Sequence, residues 1–104
     1  MMAIASGLID PALQTMRAMK GRALLAWNVR AIRVEKGLSQ ERLAADAGID
    51  RAYLGGIERQ AENPTIDLLD RLADVLQVAV GDLVRQPPDG AAPPAPLQRG
   101  RKKA

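Results

Sequence analysis

The stretch from Leu38 to Pro64, LSQERLAADAGIDRAYLGGIERQAENP, holds two short helical patterns separated by Ala47-Gly48-Ile49. Glycine at position 48 permits the left-handed backbone with which a helix can stop and the chain turn within a few residues. Leu43, Ala44 and Ala47 before the turn, and Leu54 and Ile57 after it, recur at helical spacing. Each segment must therefore bury one face. Neither is long enough to be stable in isolation, so other helices must supply the rest of the core.

The flanking sequence provides them. From Leu24 to Lys36 the pattern predicts a helix with Leu25, Val29 and Ile32 inward, Arg30 and Lys36 off the stripe, and Gly37 as its stop. Ser39 can cap a helix from Gln40 to Ala47, and Asp50 a third helix over residues 50–59. Asn63-Pro64 breaks the chain, because proline disfavours helix at the residue before it. Thr65 can cap a fourth helix, with Asp67 at its positive end and Leu68, Leu69, Leu72, Ala73 and Leu76 inward. A final helical turn at Val80–Val84, with Leu83 inward, closes the set.

The two ends read differently. Ile9, Leu13, Met16 and Lys20 fall at helical spacing behind Asp10-Pro11, so residues 1–22 form either a short helix or a frayed extension, with Met16 or Met19 as alternative starts. After Arg85, PPDGAAPPAPLQRGRKKA lacks the apolar content to fold and favours an extended spacer. The expected architecture is all-α: a compact five-helix bundle at 23–85, an N-terminal extension at 1–22 and a disordered, basic Pro/Ala-rich tail at 86–104.

Composition narrows the chemistry. The chain has no Cys and no His, which removes disulfides, zinc fingers and thiol or imidazole catalysis. Asp67, Asp70 and Asp74 share a face of the fourth helix. Without a nucleophile beside them they read as a solvated surface, not a metal or acid–base site. No enzyme, cofactor or metal is expected. No apolar run approaches the ~20 residues of a membrane span, and no secretory signal is evident, so the expected location is cytoplasmic. Net charge is +3, but residues 22–85 carry nine basic and ten acidic side chains. Any attraction to nucleic acid by the middle must come from where its arginines sit.

In order and spacing, Val29-Arg30-x-x-Arg33, Gly37-Leu38-Ser39-Gln40, Leu43-Ala44, Ala47-Gly48, Tyr53-Leu54, Ile57-Glu58-Arg59, Asn63-Pro64-Thr65 and Leu68 through Leu72 resemble the Cro and phage-repressor type of helix-turn-helix, the Xre family. The resemblance covers about three-fifths of the chain. It implies that helix 50–59 enters the major groove of double-stranded DNA. By resemblance Gln40 braces on a phosphate and supports the recognition helix; the plainer alternative is a solvent-facing residue beside Ser39. Asp50, Arg51 and Ala52 stand at the reading end, where Arg51 could fork onto guanine O6 and N7 or merely meet a phosphate. Tyr53 either contacts the backbone of the DNA or packs at the core edge. Gly56 matches a base-contacting position yet has no side chain, and Arg59 matches a phosphate contact. Gly55 and Gly56 either reflect weak local helix design or let the helix backbone approach the groove floor. Gln60-Ala61-Glu62 departs from the glycine and basic residue usual in the family, and Glu62 would repel phosphate. Arg33 and Glu58 are implied to form an ion pair between the first and third helices.

These readings predict a sequence-specific transcriptional regulator, a repressor or autoregulator, acting as a homodimer on a two-fold site. The alternative is a protein-binding adaptor or antitoxin-type partner that contacts a toxin or another protein and reads little DNA. The run Arg99-Gly100-Arg101-Lys102-Lys103 either is a solubilising tail or adds salt-sensitive attraction to DNA.

Overall fold

The computed structural model describes residues 19–94. Helix α1 runs Gly21–Glu35, α2 Gln40–Ala47, α3 Arg51–Glu58 and α4 Ile66–Leu76, followed by a 3-10 turn at Val80–Val84. The expected five-helix bundle is thus four α-helices and one 3-10 turn. The last element is only five residues long, contains Gly81 and runs into Pro87-Pro88. So short a segment satisfies its backbone better with tight i→i+3 bonds than with a nascent α-helix. The Asp82 carboxylate accepts from the Ala79 N–H and holds its start.

Helix α1 begins at Gly21, three residues before the expected Leu24, so the boundary drawn between 22 and 23 falls inside it. Glycine costs little at a first helical position, and nothing upstream of Leu24 breaks the pattern. The helix ends at Glu35, one residue short of the expected Lys36, and Gly37 makes the expected stop: it has φ +72°, the Leu38 N–H donates to the Arg33 carbonyl and the Gly37 N–H to the Val34 carbonyl. These are the paired bonds of a Schellman stop. Ser39 accepts from the Arg42 N–H at 3.0 Å, and Thr65 from the Leu68 N–H at 3.1 Å, so two of the three predicted caps are made. Asp50 takes the N-cap position of α3, but its side chain makes no capping bond.

The core lies where α1, α3, α4 and the 3-10 turn meet, with α2 closing it through Leu43, Ala44 and Ala47. Val29, Leu43, Leu54, Leu72, Leu76 and Leu83 are fully enclosed. All five residues predicted for the α4 stripe are buried, and Asp67, Asp70 and Asp74 are exposed on its other side. Ile32 is only partly buried.

The chain after Arg85 does not leave the domain at once. Pro87 is buried, and the Ala91 N–H donates to the Pro88 carbonyl to close a turn. The anchor is Asn28, whose amide donates to the carbonyls of Leu83 at 3.2 Å and Arg85 at 2.8 Å, besides Leu24 in its own helix at 2.9 Å. The helix read into residues 1–22 lies, up to residue 18, outside the described residues, as does the basic run at 99–103. Among the described residues no helix is long and apolar enough to cross a membrane.

Candidate nucleic-acid interface

The pivot between α2 and α3 is Gly48, with φ +71° and ψ +34°. Its N–H donates to the Ala45 carbonyl and that of Ile49 to the Ala44 carbonyl, which ends α2 abruptly. Arg71 of α4 reaches over the turn, its Nη1 3.4 Å from the Ala47 carbonyl. A cation there complements the negative end of the helix. The turn is therefore held from both sides, and the direction of α3 with it.

Successive helical residues are about 100° apart. Leu54 and Ile57 fix one side of α3 in the core, so Arg51, Ala52, Gly55, Gly56 and Arg59 share the opposite arc. Arg51, Ala52 and Arg59 are exposed there, and Asp50 stands exposed at the helix start. Tyr53 lies at the arc's edge, half-buried and packed against the core.

Behind this surface sits a buried charged network. Arg33 and Glu58 pair in a fork, Nε to Oε2 at 2.7 Å and Nη2 to Oε1 at 3.0 Å, with side chains 5% and 4% exposed. Arg33 Nη1 also donates to the Leu38 carbonyl at 2.9 Å. The pair ties α1 to α3 and to the start of α2. Gln40 joins it, its Nε2 donating to Glu58 Oε1 at 3.0 Å. Its Oε1 faces outward and takes a weak 3.5 Å contact from Arg51 Nη1. Gln40 thus sits between the ion pair and the outer surface, half-buried rather than purely solvent-facing. Arg51 has one further partner, Glu41, at 3.9 Å with both side chains more than half exposed. Such a pair contributes little in water, which leaves the guanidinium free to turn outward.

The two glycines have a structural purpose that the sequence did not reveal. Both are buried. A Cβ on Gly55 would lie 3.2 Å from Arg59 Nη1 and 3.9 Å from Gln40 Oε1. One on Gly56 would lie 2.7 Å from Glu62 Cγ and 2.9 Å from its Oε2. The bare backbone of α3 is thus a floor for side chains that arrive from elsewhere. Gly55 carries Arg59 and Gln40, and Gly56 carries Glu62, so Gly56 itself does not present open backbone. The signal that could have found this is the coincidence of two helix-disfavouring glycines with long polar residues a few positions later. Helix α3 then ends at Glu58, with Arg59 as its C-cap and Gln60 in the left-handed region at φ +65°.

A family model described as helix-turn-helix matches residues 29–83, just over half of the chain. The chain belongs to the helix-turn-helix family. A hypothetical transcription factor from Neisseria meningitidis serogroup B is 42% identical over 66 residues, 64% of this chain and 62% of that protein. Control protein C.SmaI of Serratia marcescens is 41% identical over 63 residues, 61% of this chain and 75% of that one. Among solved structures, the restriction–modification controller C.AhdI from Aeromonas hydrophila superposes with TM-score 0.58 at 37% identity, covering 60% of this chain and 94% of that chain. The aligned region thus spans about three-fifths of the length of the Neisseria relative.

Proposed function

We propose that this chain is a sequence-specific, double-stranded-DNA-binding transcriptional regulator, a repressor or autoregulator, that lays α3 into the major groove. The observation that carries this reading is the outer arc of α3. Its inner side is locked by Leu54, Ile57 and the Arg33–Glu58 fork, while Arg51, Ala52 and Arg59 stand exposed opposite. A rigid helix with two exposed arginines is a reading head on a fixed mount. The names of the relatives, a transcription factor and control proteins, support the same reading.

In the complex, Arg51 at the first turn forks onto guanine O6 and N7. Gln40 steadies it from behind and meets a phosphate beside the positive N-terminus of α2. Arg59 at the far end of α3 neutralises a phosphate, while Asp50, Ala52 and Tyr53 line the approach. Gly56 contributes the floor beneath Glu62. One short helix buries too little to be selective on its own, so two copies bind a two-fold site with their reading helices about 34 Å apart. The protein works in the cytoplasm, residues 21–87 forming the binding module and the terminal basic run adding salt-sensitive attraction.

Selection of bound fragments from random DNA tests this. The wild-type protein enriches a two-fold motif. Arg51→Ala lowers affinity for it about tenfold or more and relaxes one guanine position. Arg59→Ala weakens all sequences alike and lowers the salt slope by about one. If wild-type protein enriches no motif, the regulator reading fails, and a protein-binding role for the same surface takes its place.

A further inference from the structure

Beside the outer arc of α3 lies an anionic group that comes from outside the helix. Glu62, in the loop between α3 and α4, folds back so that its carboxylate lies where the side chain of Gly56 would be. The residue is half-buried in this position, and among the described residues no ion pair or hydrogen bond holds its carboxylate. A surface built to meet a polyanion gains nothing from an unpaired carboxylate unless that group selects.

We infer that Glu62 stands in for the side chain missing at Gly56 and makes the recognition face selective for cytosine. The inference rests on α3 reading the major groove. A carboxylate only accepts hydrogen bonds. Of the base edges in the major groove, guanine offers two acceptors, thymine an acceptor and a methyl, and adenine a donor with an acceptor next to it. Cytosine alone offers a donor, its N4 amino group, with no acceptor on the same base, so it suits a carboxylate better than the others do. Discrimination here works as much by rejecting the other three bases as by holding the fourth.

The geometry also sets the spacing. Residue 56 is five positions beyond Arg51, about 7.5 Å along the helix. That is about two base-pair steps at ~3.4 Å each. The cytosine should therefore lie one to three base pairs from the guanine that Arg51 reads.

Sites are selected from random double-stranded DNA with wild-type protein, Arg51→Ala, Glu62→Gln, Glu62→Ala and Gly56→Ala, each checked for an unchanged helical spectrum and melt. The wild-type motif is expected to hold, in each half, a cytosine column separate from the guanine column that Arg51→Ala erases. Glu62→Gln moves that column toward adenine, since an amide pairs with adenine N6 and N7. Glu62→Ala flattens the column and leaves the guanine column in place. Gly56→Ala, whose added methyl pushes the carboxylate off its floor, flattens it while Glu62 is still present. A wild-type motif lacking the second column overturns the inference and leaves the regulator reading intact. So does an unchanged column in the Glu62 variants accompanied by a uniform rise in affinity, which would make Glu62 a repulsive charge and nothing more. Failure of the wild-type protein to enrich any motif overturns both.

Discussion

Replacing Glu58 by alanine isolates the energetics of the buried fork between α1 and α3. Arg33 is 4% exposed and spends three of its donors internally, two on Glu58 and one on the Leu38 carbonyl. Without Glu58 the guanidinium keeps only the carbonyl, and Gln40 loses the acceptor for its amide. Leaving one member of such a pair buried and unpaired costs about 3–5 kcal/mol. A domain this size has a total stability on the order of 5–15 kcal/mol, so the loss is a large fraction of the whole. At roughly 4–8 °C per kcal/mol, the melting temperature falls by at least about 12 °C. The double change Arg33→Met with Glu58→Leu removes both charges and recovers most of that loss, because no unpaired ion remains. Thermal and urea melts followed by circular dichroism measure all three proteins. A single variant melting within about 3 °C of wild type, or a double variant less stable than the single one, would refute the reasoning.

Two further changes probe the ends of elements. Gln60 sits at φ +65°, where a side chain costs on the order of 1 kcal/mol that glycine avoids. Gln60→Gly should therefore raise stability by about 0.5–1 kcal/mol in urea melts, and a loss would show that the side chain makes a contact worth more than the strain. Asn28→Ala strips the Leu83 and Arg85 carbonyls of their donor, which should cost roughly 1–2 kcal/mol and speed amide exchange over residues 80–87. Unchanged protection there would mean that burial of Leu83 and Pro87 alone holds the chain end.

Where apolar spacing and a cap or stop residue agree, the fold was legible in the chain. Gly37, Ser39, Gly48 and Thr65 each mark a boundary because each satisfies or redirects backbone groups locally. The Arg33–Glu58 pair came from resemblance and not from local pattern, since its partners lie 25 residues apart. The start of α1 was hidden because no strong N-cap announces it: Lys20 takes that position without a side-chain bond. The packing of the chain around Pro87 was hidden because the segment before it is held by Asn28, a polar residue beside the apolar stripe whose partners there lie more than fifty positions later. On the candidate site, resemblance singled out Arg51, Ala52 and Arg59, which lie on one exposed arc. Neither resemblance nor spacing could foresee that Gly55 and Gly56 are covered, because the side chains over them come from Gln40, Arg59 and a loop residue, Glu62. Periodicity describes which way a helix faces, but not what folds back onto it.

Guanine N7 faces only the major groove, so methylation interference at that atom asks most directly whether α3 reads DNA there. On a selected site, methylating one guanine in each half should abolish wild-type binding, with the two sensitive positions about one helical turn apart. In Arg51→Ala the same modification should cost nothing further. Binding indifferent to N7 methylation in the wild-type protein, or blocked only from the minor-groove side, would contradict the account.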